Sequence, residues 1–362
     1  MHVLTIIGNR PQFVKLAAVS PLLRADHTET LIHTGQHHDR ELSSVFFEQL
    51  GLPEPDHNLA IAGGSNSQQS ARMIEALEPI VAEAAPDVVL VYGDTNSTLA
   101  GALVAAQLKI PLAHVEAGLR SFDRAMPEEV NRVVCDALAD LLLAPGPAAA
   151  ENLAREGVAG DVVVTGDVMG DVVLGLPAGS AANEFGVVLN GYFLVTAHRA
   201  ANVDDPERLS KLVDLILSLD LAVIFPVHPR TRARLEEFGE LERLEAAPTV
   251  TLAPPLDYAT TISLAADARA VLTDSGGLQK EAVWLGTQCI TLRPNTEWTE
   301  TLEGGWNTVV DLDSDLAAQS LLSPPQGDAP SLYNAGNAGA AVVSALEARF
   351  AADAATPGVK SA

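Results

Sequence analysis

Cysteine is nearly missing: Cys135 and Cys289 are the only two in 362 residues, and neither has a ligand-spaced Cys or His near it. Thiols this sparse argue against a disulfide scaffold or a zinc site and point to two reduced, buried side chains in a cytoplasmic protein. Basic residues are also few, 22 Lys and Arg against 47 Asp and Glu, which leaves a net charge of -25. So negative a surface repels nucleic acid and anionic lipid, so neither is an expected partner. The longest apolar runs are only strand-length, and no basic segment followed by an apolar one opens the chain. No membrane span and no signal peptide are expected. The G-x-G-x-x-G fingerprint of dinucleotide folds is absent, which removes the case for NAD. Without a G-x-S-x-G elbow there is no case for a Ser-His-Asp hydrolase either. No His or carboxylate pair has helical ligand spacing with a partner set, so no metal is expected.

What the chain has is a rhythm. Hydrophobic residues make up 48% of 362 positions, too much for one core of ordinary size and enough for two. Apolar, β-branched runs at 3–7, 30–33, 88–92, 112–115, 141–143 and 162–165 alternate with helical patterns, the signature of a parallel sheet. The rhythm breaks at 166–183 in a Gly/Ala/Pro/Ser stretch suited to a linker, then resumes at 192–196, 222–226, 249–252, 270–273 and 289–292. We expect two Rossmann-like domains, 1–168 and 184–330, facing a central cleft. An alanine-rich helix at 333–350 should follow, within a C-terminal segment of 331–353, and the tail from Ala351 should fray.

In open parallel sheets, ligand chemistry gathers at the carboxyl ends of the strands. The segment 270–282, AVLTDSGGLQKEA, runs from a strand through Asp274-Ser275-Gly276-Gly277 into a helix, aiming free N–H groups at one point where an anion can sit. Ser275 could cap the helix or donate directly to a ligand. The first strand ends in Gly8-Asn9-Arg10-Pro11-Gln12, with Lys15 one turn on, a basic helix start that suits a pyrophosphate. Asp94 and Glu116 each end a strand and could divide acid and base work, Asp94 being equally placed to cap a helix. Glu128 stands at a helix start, where a carboxylate also complements the dipole. In the second half, His198-Arg199 and His228-Pro229-Arg230 end two further strands. His114 lies inside a strand and reads as a core group; His2, His27, His33 and His57 read as structural or exposed.

These motifs in this order, together with Gly35-Gln36-His37, His114-Val115-Glu116-Ala117-Gly118-Leu119-Arg120 and Pro127-Glu128-Glu129-Val130-Asn131-Arg132, resemble the non-hydrolysing UDP-N-acetylglucosamine 2-epimerases across roughly residues 1–310. The resemblance implies a glycosyltransferase-B-like pair of Rossmann domains, a C-terminal helix packed back on the first domain, and a homodimer. It also implies elimination and re-addition of UDP through a 2-acetamidoglycal, with no cofactor and no metal, in polysaccharide biosynthesis. Asp94, Glu116, Glu128, His198 and Lys15 would be catalytic. Arg10, His228, Ser275, Gly276, Gly277, Glu281, Arg293 and Arg199 would bind the UDP-sugar, with Glu281 on the ribose hydroxyls.

One departure bears on the substrate and a second on allosteric activation. Where the family commonly has His-Arg-x-Glu-Asn, this chain has His198-Arg199-Ala200-Ala201-Asn202, and after Gln36-His37 it has His38-Asp39 in place of the pattern of the allosterically activated members. Residues 166–169 and 291–301 look like the branch acting on UDP-2,3-diacetamido-2,3-dideoxyglucuronate. Alternatives are therefore that specificity, a hydrolysing epimerase, a glycosyltransferase with an acceptor groove, or a non-enzymatic sugar-nucleotide sensor.

Overall fold

The structure is a computed structural model that describes residues 1–36, 51–176 and 181–351. His37, His38 and Asp39, the middle of the expected linker at 177–180 and the tail after Ala351 lie outside the described residues. The chain divides into two units, Met1–Val172 with Tyr333–Ala362, and Val173–Leu332.

Among the described residues, seven strands build the sheet of the first unit: β1 (His2–Ile7), β2 (Thr28–His33), β3 (His57–Asn58), β4 (Val88–Tyr92), β5 (Leu112–Val115), β6 (Leu141–Ala144) and β7 (Asp161–Val164). They pair in parallel in the order β3-β2-β1-β4-β5-β6-β7. Side chains alternate across each strand, so β1 sends Val3 and Ile7 into one core with Phe13, Leu16 and Tyr92, and Leu4 and Ile6 into another with Met73, Leu77 and Val91. Helices cover both faces, which is why the central strands read as unbroken apolar runs.

The second unit repeats the design with β8 (Tyr192–Thr196), β9 (Ala222–Pro226), β10 (Val250–Ala253), β11 (Ala270–Thr273), β12 (Gln288–Thr291) and β13 (Asn307–Val309), all parallel, in the order β10-β9-β8-β11-β12-β13. Cys135 and Cys289 are free and buried in these cores. Among the described residues no helix is long and apolar enough to cross a membrane.

Three local readings change. The stretch read as a linker contains a helix at Val168–Gly175. β3 has both of its side chains exposed and β13 is three residues long, so neither leaves an apolar pattern to read. The alanine-rich helix starts at Ala338, not at 333, because Tyr333, Asn334 and Gly336 have φ of 57°, 51° and 87°. Left-handed residues cannot continue a right-handed helix. The Asp171 carboxylate caps it instead, accepting N–H bonds from Gly336 at 2.7 Å and Gly339 at 2.8 Å.

In each sheet the winding direction reverses once, between β1 and β4 and between β8 and β11. At such a reversal the two following loops turn to opposite faces and leave a crevice at the strand ends. The expected site residues cluster at these two points.

Candidate active site

In the first unit, Asn9 caps the Arg10–Asp26 helix by accepting the Gln12 N–H at 3.3 Å. That start leaves Arg10 exposed in the first turn and carries Lys15 inward, where its side chain is buried. The Lys15 ammonium pairs with the Glu116 carboxylate at the end of β5. Burial opposes its charge, but Glu116, Asp94 and Asp167 outweigh burial and hold the Lys15 pKa above its ordinary value. Gly93 makes room for the pair: its φ is 60°, and a Cβ there would lie 3.2 Å from both Glu116 Oε2 and Lys15 Nζ.

Asp94 has a separate counter-ion. Arg132 Nη2 reaches Asp94 Oδ2 at 2.5 Å, and Asn131 Nδ2 donates to the Asp94 carbonyl at 2.9 Å. Burial works against the Arg132 charge too, and the carboxylates of Asp94 and Glu129 reverse the effect and raise its pKa. Two carboxylates thus stand at one sheet edge, each held by its own cation. Such a pair can take a proton in one place and return it in another.

Glu128 is exposed at the start of the Pro127–Leu138 helix, and the structure does not bring it into this cluster. The acid that is buried is its neighbour. Glu129 accepts the N–H groups of Ser121 and Phe122 at 2.9 and 3.0 Å and binds Arg132 at 3.2 Å, which ties the loop after β5 to the cation on Asp94. Gln12 is a second residue whose role the sequence did not reveal. Its side chain accepts the Gly8 N–H at 2.7 Å and donates to the Tyr92 carbonyl at 2.7 Å and to Thr98 Oγ1 at 3.0 Å, joining the exits of β1 and β4. A glutamine in a helix gives no sign of such a bridge until the two strand ends are side by side.

In the second unit, Asp274 proves to be an organiser of the loop rather than part of an anion cradle. Fully buried, it accepts the His198 N–H at 3.1 Å, the Arg199 N–H at 2.9 Å and the Asn202 side-chain amide at 3.1 Å. Its Oδ1 also lies 3.3 Å from His198 Nδ1, which orients the ring. Burial lowers the His198 pKa and Arg199 and His228 push the same way, which outweighs Asp274 and leaves the imidazole neutral at pH 7. The His198 and His228 rings stand 5.8 Å apart. His228 Nδ1 accepts the Arg230 N–H at 3.2 Å, so Nε2 is its protonated nitrogen.

Ser275 occupies the cap position of the Gly276–Trp284 helix, but its hydroxyl makes no cap bond. Of the two roles open to it, the capping one is therefore not taken. Gly277 is open to solvent, whereas a Cβ on Gly276 would lie 2.5 Å from Glu297 Oε1. Glu297 in turn forms a two-pronged pair with Arg293, at 2.7 and 3.3 Å. Burial disfavours its charge, but Arg293, with Arg199 adding, brings the Glu297 pKa below the ordinary value. Along the same helix, Glu281 is buried and accepts the Tyr258 hydroxyl at 2.9 Å.

Two Rossmann-like units, each with charged side chains at its switch point, define an α/β enzyme of the glycosyltransferase-B-like class. The chain belongs to the UDP-N-acetylglucosamine 2-epimerase family, an isomerase family whose model matches residues 22–347. It is 44% identical over 326 residues to a UDP-N-acetylglucosamine 2-epimerase of Methanocaldococcus jannaschii, covering 86% of this chain and 88% of that one. To a UDP-2,3-diacetamido-2,3-dideoxy-D-glucuronate 2-epimerase of Pseudomonas aeruginosa it is 43% identical over 358 residues, covering 96% and 99%. The crystal structure of a Methanocaldococcus jannaschii UDP-GlcNAc 2-epimerase in complex with UDP-GlcNAc and UDP superposes with a TM-score of 0.82 at 39% identity, covering 96% of this chain and 100% of that one.

Proposed function

We propose that this chain inverts C2 of a UDP-2-acetamido sugar, with UDP-N-acetylglucosamine and UDP-N-acetylmannosamine as the leading pair. The observation that carries this reading is the pair of separately balanced carboxylates, Glu116 on Lys15 and Asp94 on Arg132, at one sheet edge in a member of this family. One acid-base group removes the C2 proton while the C1–O bond to UDP breaks, which gives the 2-acetamidoglycal. A second group protonates C2 on the opposite face, and UDP re-adds at C1. Electrons and protons balance with no external oxidant.

UDP must be held while its bond to the sugar is absent. The reading gives that task to the second unit, with the diphosphate on Ser275, Gly276, Gly277, Arg293 and His228, the ribose hydroxyls on Glu281, and neutral His198 and Arg199 beside them. N–H groups aimed at the leaving diphosphate favour the charge that develops as it departs. Arg10, exposed in the first turn of its helix, is assigned to the UDP-sugar by resemblance. Glu128 has no support in the cluster and stands as an acid only by resemblance. We also propose a cytoplasmic homodimer serving polysaccharide biosynthesis.

The 43% identity to the Pseudomonas aeruginosa diacetamido-uronate enzyme over 96% of this chain favours a second specificity with the same chemistry. Both substrates are to be incubated separately in deuterated water. Deuterium at C2 of both epimers of UDP-N-acetylglucosamine is expected. Exchange in the diacetamido-uronate alone transfers the assignment to that sugar, and exchange in neither overturns the epimerase reading. Release of free N-acetylmannosamine and UDP would mark a hydrolysing enzyme instead.

A further inference from the structure

His114 sits in the middle of β5, fully buried, and both of its ring nitrogens face acceptors. Nδ1 lies 2.7 Å from Asp136 Oδ1, and Nε2 lies 2.6 Å from the Gly93 carbonyl oxygen. A neutral imidazole can donate from only one nitrogen, so with Asp136 kept a carboxylate by Arg120 and the Gly118 N–H this geometry requires protons on both. We propose that His114 is held as a permanent imidazolium and acts as a positioning residue, locking together the ends of β4 and β5 that carry Asp94 and Glu116.

The bonds run to both strand ends. Through Nε2 the ring fixes the Gly93 carbonyl, which belongs to the peptide leading into Asp94. Through Nδ1 it fixes Asp136, whose other oxygen accepts the Gly118 N–H at 3.0 Å and pairs with Arg120 at 2.7 Å, within the loop that begins at Glu116. Arg120 continues to Glu156 at 2.7 Å. The groups facing the ring are thus Asp136 from the Pro127–Leu138 helix, the Gly93 carbonyl after β4 and Glu116 after β5, with Arg120 reaching it only through Asp136. Burial opposes the charge on His114, but Asp136, Gly93 and Glu116 outweigh it and raise the pKa, and the Asp136 carboxyl is held below its ordinary range. A buried charge persists only when paired and hydrogen-bonded on all sides, and this one is.

The inference rests on the proposed acid-base roles of Asp94 and Glu116, but the charge state can be measured without them. Nitrogen-15 histidine NMR of the full chain should show two protonated ring nitrogens on His114 at pH 6, 7 and 8. One bare nitrogen at pH 7 overturns the proposal. Asp136→Asn removes the counter-charge, so in that variant the His114 ring nitrogens should titrate between about pH 5 and 8, where those of the wild type do not. His114→Gln should lower kcat at least about tenfold while UDP affinity stays within about twofold. A folded His114→Gln protein with unchanged kcat also overturns the proposal. If the variants do not fold, the wild-type NMR still decides, and if the wild type turns over no nucleotide sugar, only the epimerase reading fails.

Discussion

Asp274, at the end of β11, holds the loop after β8 in place by accepting the backbone N–H groups of both His198 and Arg199. The second unit's candidate site therefore depends on a side chain that is fully buried and cannot itself touch a ligand. Asp274→Ala leaves those N–H groups and the Asn202 amide without their acceptor. A loss of about 3 kcal/mol in urea unfolding is expected, because unpaired buried donors cost roughly 1–3 kcal/mol each and some will find water. UDP affinity, measured by calorimetry, should fall with it.

Glu116→Gln keeps the shape of the side chain and removes its capacity to take a proton. Deuterium incorporation at C2 should slow by roughly 10²- to 10⁴-fold, the range of general acid-base catalysis. UDP affinity should change by less than about threefold, since Glu116 itself is assigned no nucleotide contact. An equal loss in both quantities would place Glu116 in binding rather than in proton transfer.

Glu297 places a carboxylate on Arg293 and against Gly276, where the diphosphate is proposed to sit. An incoming diphosphate must displace or repel it. Glu297→Gln should therefore bind UDP several-fold more tightly, while uridine, which lacks phosphates, should bind no better. Weaker UDP binding would mean that Glu297 supports Arg293 instead of competing for it.

Stability should decline in mild acid through His33. This ring is buried edge-on to Phe13 with centroids 5.1 Å apart, and burial lowers its pKa to about 4. Between pH 6.5 and 4 the unfolded chain binds a proton there and the folded chain does not, so stability rises with pH across that window and is lost as pH falls. The loss should reach roughly 3 kcal/mol for a shift of this size. His33→Gln should flatten the decline in urea midpoint between pH 6.5 and 4.5. Below that range Asp136 and Glu129 add to the loss, since both carboxyls are held below their ordinary values in the folded state.

Much of the fold was legible because a parallel sheet covered on both faces must be written in unbroken apolar runs, and β4, β5, β8, β9 and β11 coincide with such runs to the residue. β3 and β13 were not legible, being too short to carry a pattern. At the site, the sequence marked residues at or just beyond strand ends, Asp94, Glu116, His198 and Ser275, and Lys15 one turn into the helix after β1. It assigned no role to Gln12, Glu129, Arg132, Asp136 or Glu297, whose partners lie mostly on other strands and loops.

Asp274 and His114 divide the two kinds of knowledge most clearly. The sequence determined the doubly wound class, the strand ends where chemistry can gather and the family, because periodicity and ordered motifs are local properties. Only the tertiary structure decided that Asp274 binds backbone instead of anion, that His114 must carry two protons, and which cation balances which acid. Those outcomes depend on the partners that pairing β1 with β4, β4 with β5 and β8 with β11 brings within about 3 Å, the reach of a hydrogen bond.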